Sequence, residues 1–182
     1  MKFCSDCGTK VDFRVPDGDN RPRFLCDHCG SIHYQNPRIV AGCIPEWESQ
    51  LLLCRRAIEP RYGLWTIPAG FMENGETVEQ AACRETAEEA CADVALTALY
   101  AVCNIPRVDQ VYMIFRASLI DGRFRPGEES LETELFSEEE IPWTELAFPV
   151  VERTLRHFFD DRSRGRFETY LDTIPGPGKQ TS

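Results

Sequence analysis

Apolar residues in this chain fall into short runs separated by charged and turn-forming residues. Residues 38–44 (RIVAGCI) and 50–56 (QLLLCRR) are apolar runs of strand length bounded by turn residues, and they predict two strands joined by a hairpin over 45–49. Residues 63–70 (GLWTIPAG) lead out of this pair, and residues 93–104 and 110–119 are again strand-like. Residues 123–134 predict a charged loop, 135–136 a short strand and 137–142 a turn or helical connection. Residues 149–159 are amphipathic, with Val150, Val151, Leu155, Phe158 and Phe159 along one side, and predict a helix. A last strand is expected within 166–174, followed by a flexible Pro/Gly tail over 175–182. Strands, then a helix, then strands and a second helix suggest a mixed sheet with helices on both faces.

The first of those helices carries the chemistry. Thr77 and Gln80 stand at capping-box spacing, so the helix starts there. Val78, Ala81, Ala82, Thr86 and Ala90 are small or apolar and let it press against a sheet. Glu85, Glu88 and Glu89 stand at i, i+3 and i+4 and share one face, where three like charges repel. A solvated acidic helix is the plain reading of such a run. The spacing argues for more, because a divalent cation such as Mg²⁺ or Mn²⁺ would neutralise the cluster. Before the helix, Pro68, Gly70, Asn74 and Gly75 predict a loop that brings Glu76 beside the helix start.

Gly70, Glu76, Arg84, Glu85, Glu88 and Glu89 all stand at the spacing GX5EX7REUXEEXGU, where U is aliphatic, so this stretch resembles the Nudix box. Thr86, Cys91 and Ala92 depart from the pattern at packing and helix-ending positions, not at ligand positions. The resemblance covers roughly residues 37–160, implies an α/β/α sandwich with a mixed sheet, and implies hydrolysis of a diphosphate assisted by Mg²⁺ or Mn²⁺. It assigns Glu85, Glu88 and Glu89 as ligands of the catalytic metal, Glu76 and Arg84 as their support, and Gly70 as a carbonyl donor to the metal. The general base is Glu85 or a downstream carboxylate among Glu128, Glu129 and Glu132. Arg55 and Arg56 could meet phosphates, and Trp47, Trp65, Phe71 or Tyr112 could stack on a base.

The N-terminal residues form a separate unit. Cys4-Ser5-Asp6-Cys7-Gly8 and Cys26-Asp27-His28-Cys29-Gly30 are matched C-x-x-C-G knuckles resembling a zinc ribbon, with four thiolates around one structural Zn²⁺. Iron in a rubredoxin-like site and a redox dithiol are the competing readings. Strands are expected over 10–15 and 23–25 about a turn at 16–20, and metal binding would supply the folding energy of so small a piece. His28, His33 and His157 are expected at the surface or behind the ligands, and Cys43, Cys54, Cys83, Cys91 and Cys103 as buried inert thiols.

The organisation expected is therefore a zinc ribbon over 1–35, a Nudix domain over 36–174 and a tail over 175–182. Nine cysteines in a chain that opens without a signal-peptide pattern suggest reduced thiols and a cytoplasmic setting. A net charge of −10, with no apolar run of membrane length, disfavours membrane surfaces and non-specific nucleic-acid binding. Acidic and basic residues balance within the ribbon, so RNA binding is not supported, and a homodimer is expected from the resemblance. Runs such as residues 51–77 and 129–143 look most like plastid-type FAD and ADP-ribose pyrophosphatases, which implies release of AMP from such substrates. The array that accompanies NADH specificity in ribbon-bearing relatives is missing between Asp93 and Ser118. NADH or another dinucleotide is the alternative substrate, and nucleotide sensing without turnover the alternative function.

Overall fold

The computed structural model describes residues 1–175 in two compact units, Met1–Pro37 and the chain from Arg38 onward. All but the first residue of the expected tail lies outside the described residues.

In the first unit, strands β1 (Asp12–Arg14), β2 (Arg23–Leu25) and β3 (Ile32–His33) form an antiparallel sheet in the order β1-β2-β3. The first strand is shorter than expected because Lys10 bridges to Phe3 instead of extending β1, and β3 was not foreseen. Its only buried apolar cluster among the described residues is Cys4, Val11 and Cys26, with Phe24 against it. That is too little to hold a fold alone.

The second unit runs β4 (Arg38–Trp47), β5 (Gln50–Arg56), β6 (Trp65–Thr66), β7 (Ala69–Phe71), α1 (Val78–Ala90), β8 (Val94–Ile105), β9 (Gln110–Leu119), β10 (Ser130–Phe136), α2 (Pro149–Arg164) and β11 (Tyr170–Thr173). The sheet order is β10-β5-β4-β9-β8-β11, with β6 beside β5 and β7 beside β4. The pairs β4/β9 and β8/β11 are parallel and the rest antiparallel, so the sheet is mixed.

Each helix covers one face. Leu51 and Leu53 of β5 pack with Val150, Val151, Leu155 and Phe158 of α2, while Leu52 and Cys54 pack with Ala90 at the end of α1. Ile44 joins the α2 side, and Ala41 and Cys43 meet Ala81 and Ala82 of α1. Alternate residues thus point to opposite cores, which is why these strands read as unbroken apolar runs. The expected α/β/α sandwich is what the chain forms.

Several boundaries differ from expectation. The hairpin between β4 and β5 turns in two residues, Glu48 and Ser49, with φ of 46° and 70°. Such a turn matches strand twist, but its usual Asn-Gly signal is missing here. The expected loop at 123–134 ends earlier, because Ser130–Phe136 pairs with β5 as a full strand. Its acidic residues hid it: Glu132 and Glu134 are tolerated because β10 is an edge strand, and Glu132 pairs with Arg55 at 3.1 Å. Helix α2 continues to Arg164 and ends on Gly165. The last strand is limited to Tyr170–Thr173, where β11 meets β8.

Candidate active site

Helix α1 begins with the expected reciprocal cap. Gln80 N–H donates to Thr77 Oγ1 (3.2 Å), and Thr77 N–H donates to Gln80 Oε1 (2.8 Å). Ala81, Ala82, Thr86 and Ala90 are buried against the sheet, so Arg84, Glu85, Glu88 and Glu89 are directed to one cleft. That cleft, about 740 Å³, is also lined by Val40, Arg56, Gly70, Phe71, Tyr112, Glu128, Glu129 and Phe148.

Arg84 organises the acidic wall. Nε and Nη2 donate to the two oxygens of Glu76 at 3.0 and 2.7 Å. Nη1 reaches Glu85 at 2.8 Å and Glu88 at 3.0 Å, and Nη2 also donates to the Phe71 carbonyl at 3.1 Å. All five N–H groups of the guanidinium are engaged. The contact with Arg84 holds the Glu76 carboxyl below its ordinary range. Glu85 is raised instead, because burial outweighs its contact with Arg84. Glu89 takes no bond from Arg84. It accepts one from the Ala69 N–H at 3.1 Å, and burial pushes it up to about 8, with the charges of Glu85 and Glu129 adding to the effect.

Gly70 sits where any side chain would collide with this wall. A Cβ there would lie 2.2–2.4 Å from the carboxylate atoms of Glu85. The donor set is hard oxygen, rich in negative charge and short of cations, which fits a divalent ion of the Mg²⁺ type.

Among the downstream carboxylates, Glu128 and Glu129 line the cleft, and Glu129 acts electrostatically on both Glu85 and Glu89. Glu132 faces Arg55 and lies outside the cleft lining. Arg55 is likewise committed, donating to the Gly63 carbonyl at 2.8 Å and to Glu132. Arg56 lines the cleft: its Nε donates to the Pro60 carbonyl at 2.9 Å, and its guanidinium lies over the Phe148 ring at 5.2 Å. Of the four aromatic candidates, Phe71 and Tyr112 face the cleft. Trp65 is core, edge-on to Phe136, and Trp47 packs beside Gly122. Phe148, Ile58 and Pro60 complete the apolar side and were not singled out from sequence, since isolated apolar residues in loops carry no periodic signal.

The four cysteines of the first unit converge. Their sulfurs all lie within 4.8 Å of one another, with Cys4–Cys29 at 3.6 Å and Cys7–Cys26 at 3.4 Å. Thiolates around a tetrahedral ion with metal–sulfur bonds near 2.3 Å would be about 3.8 Å apart, so the cluster fits a metal. His33 Nε2 stands 3.3 Å from Cys4 Sγ, behind the ligands as expected. His157 stacks on Tyr170 with ring centroids 4.4 Å apart. Cys43, Cys54 and Cys103 are buried, whereas Cys83 and Cys91, expected buried, are partly exposed on α1 and at its end.

Comparison with known proteins agrees with this architecture. Residues 2–35 match the Nudix N-terminal zinc ribbon and residues 36–159 the NUDIX domain. A NUDIX hydrolase from Nitrosomonas europaea, known from its crystal structure, is 54% identical; the match covers 96% of this chain and 99% of that one, with a TM-score of 0.93. The NAD-capped RNA hydrolase NudC of Pseudomonas aeruginosa is 30% identical over 96% of this chain, but the match spans only 60% of that relative's length. An ADP-ribose pyrophosphatase from Methanocaldococcus jannaschii is 32% identical over 63% of this chain and 69% of its own. A domain-length match, a close structural counterpart and a helix bearing the box at full spacing have one meaning: the chain belongs to the Nudix hydrolase family.

Proposed function

We propose that this protein hydrolyses the diphosphate of an adenosine diphosphate linked to a second moiety, releasing AMP. The observation that carries this reading is that Glu85, Glu88, Glu89 and Glu129 line one cleft together with Arg56 and the aromatic residues Phe71, Tyr112 and Phe148. Glu85, Glu88 and Glu89, with the Gly70 carbonyl, would hold Mg²⁺ or Mn²⁺. When bound, the ion neutralises phosphate charge and makes water a better nucleophile near neutral pH. Arg84 keeps Glu85 and Glu88 in place and is itself held by Glu76. Arg56 has no carboxylate partner among the described residues and receives a phosphate oxygen. Glu129 accepts the proton of the attacking water, the role that best suits a carboxylate facing the cluster from another element. Phe71 and Phe148 offer ring surface to the adenosine.

The four cysteines hold Zn²⁺ in a closed site that folds the N-terminal unit, preferred over iron and over a redox dithiol. We keep ADP-ribose and FAD as leading substrates. The NudC-type relatives add NAD-capped RNA ends, which join NADH as a second class. No helix among the described residues is long and apolar enough to cross a membrane, and a cytoplasmic homodimer completes the proposal.

The test is a hydrolysis panel of ADP-ribose, FAD, NADH and NAD-capped RNA with Mg²⁺ or Mn²⁺, with products separated by chromatography. AMP with ribose 5-phosphate or FMN supports the first class; AMP with NMNH from NADH, or NMN with a 5′-monophosphorylated RNA from the capped RNA, supports the second. No turnover of any of them by the folded, zinc-loaded protein rejects the proposal in favour of nucleotide sensing.

A further inference from the structure

The last turn of α1 is not closed by its own chain. Gly127 N–H donates to the Glu89 carbonyl at 3.0 Å, and Arg125 N–H donates to the Ala90 carbonyl at 2.9 Å. Carbonyls in the last turn have no partner within the helix, so the segment before β10 supplies what the helix lacks. The approach is very close. A Cβ on Gly127 would lie 1.7 Å from the Glu88 carbonyl oxygen, 2.8 Å from the Glu88 carbonyl carbon and 3.2 Å from that of Glu89. These are backbone atoms and cannot swing aside as a side chain could. The backbone in contact belongs to the same residues whose side chains form the acidic wall.

The far side of the segment is tied as well. Ser130 N–H donates to the Gly127 carbonyl at 3.2 Å, and Ala57 N–H, just after β5, donates to the Glu129 carbonyl at 2.8 Å. Glu128 and Glu129 therefore occupy a two-residue span between one anchor on α1 and another on the sheet. Both carboxylates line the cleft from that span.

We propose that Gly127 is a positioning residue: its bare backbone contact with α1 sets the distance between the Glu129 carboxylate and the Glu85–Glu88–Glu89 cluster. The catalytic meaning of that distance rests on the function proposed above, whereas the distance itself does not. An added methyl needs about 1.3 Å of relief to go from 1.7 Å to the 3.0 Å below which real Cβ contacts essentially never fall. Helix α1 is packed into the sheet through Ala81, Ala82, Thr86 and Ala90, so the exposed segment is the part that gives way. A misplacement of about 1 Å at a reacting group costs on the order of 100-fold in rate.

The experiment measures steady-state hydrolysis of ADP-ribose with Mg²⁺ by full-length Gly127→Ala, Glu129→Gln and the double variant, alongside a crystal structure of Gly127→Ala. We expect kcat of Gly127→Ala to fall about 100-fold with KM within about threefold. The double variant should be no slower than Glu129→Gln within about threefold, because the methyl acts only through Glu129. Losses that multiply in the double variant would overturn the proposal.

Gly122→Ala is the control for general destabilisation: its Cβ would strike Trp47 at 2.6 Å from a backbone with φ of +69°, outside the span. It should keep kcat, and an equal loss there would also overturn the proposal. Should Gly127→Ala not fold, one glycine inserted after Gly127 leaves the helix contact intact and lengthens the span. It should lower kcat similarly, and a normal kcat would count against the proposal. If the wild type does not turn over ADP-ribose, the proposed substrate fails on its own. The crystal structure then still decides the positioning, by whether Glu129 is displaced by about 1 Å or stays in place.

Discussion

Replacing Glu89 with Gln should stabilise the metal-free protein while abolishing turnover. Glu89 is 7% exposed, accepts a single hydrogen bond from Ala69 and faces Glu85 and Glu129, so burial pushes its carboxyl from 4.5 up to about 8. Between those two values the folded protein holds a proton that the unfolded chain has released. The stability tied to this group is therefore fully present below pH 4.5 and is lost as pH rises through about 8. At about 1.4 kcal/mol per unit the ceiling is roughly 4–5 kcal/mol. Glutamine cannot ionise, and its carbonyl can still accept from Ala69, but its amide NH₂ needs a partner and costs about 1–3 kcal/mol if left without one. A net gain of about 1–4 kcal/mol at pH 8.5 follows, with none or a loss at pH 5, where the wild type is already protonated.

Urea unfolding followed by tryptophan fluorescence reads this directly, because Trp47, Trp65 and Trp143 all lie in the second unit. Both proteins are dialysed free of Mg²⁺ with zinc retained. Added Mg²⁺ should then stabilise the wild type and leave the variant unmoved. A stability difference between the two proteins that does not change from pH 5 to pH 8.5 would refute the reasoning.

Three further outcomes follow from the site and its frame. Gly70→Ala places a methyl 2.2 Å from a Glu85 oxygen and should lower kcat by about 100-fold, read by the same hydrolysis assay, while urea stability changes by less than about 1 kcal/mol because the carboxylate can swing aside. Cys26→Ser should release zinc from the first unit, measured with a colorimetric chelator, and unfold that unit without moving the tryptophan-detected transition of the second. Cys91, the cap residue of α1, sits in the left-handed region at φ 45° and ψ 39°, so Cys91→Gly should stabilise the second unit by up to about 1 kcal/mol in urea. A variant no more stable than the wild type would show that the cap is not strained.

The acidic helix was legible from sequence because its information is local. Thr77 and Gln80 mark its start, and Glu85, Glu88 and Glu89 share a face by helical arithmetic alone. Strands β4 and β5 were legible because burial on both faces makes them continuous apolar runs. Strand β10 was hidden because an edge strand can carry Glu132 and Glu134 outward and so resembles a charged loop. The choice among Glu128, Glu129 and Glu132 was illegible for a related reason. Which of them faces the cleft depends on the register of β10 against β5, where Glu132 pairs opposite Arg55 and is taken up by it. Register is a tertiary fact. The same register sets Arg55 apart from Arg56: one bonds to Glu132 and Gly63, and the other is directed at Phe148 and the cleft.

Helix α1 is a poor helix by its own sequence, and that explains why so much of the fold converges on it. Its acidic face repels itself, its last turn holds no basic residue, and its cap residue is a cysteine in a conformation that favours glycine. Each deficit is met from outside the helix. Arg84 is saturated by Glu76, Glu85, Glu88 and the Phe71 carbonyl, which ties the start of the acidic face to the preceding loop. Ala81, Ala82, Thr86 and Ala90 press the opposite face onto β4 and β5, and Thr86 Oγ1 stands 3.1 Å from Cys43 Sγ with both groups buried. Arg125 and Gly127 close the last turn with their N–H groups. The Cys91 and Gly127 sites are thus complementary. At the chain's own cap a side chain is tolerated at some cost, whereas the segment lying across the helix end comes too close for one. A segment that close to the backbone of Glu88 and Glu89 ties Glu128 and Glu129 to the same helix, so one packing contact both completes α1 and joins the downstream carboxylates to the acidic wall that α1 carries.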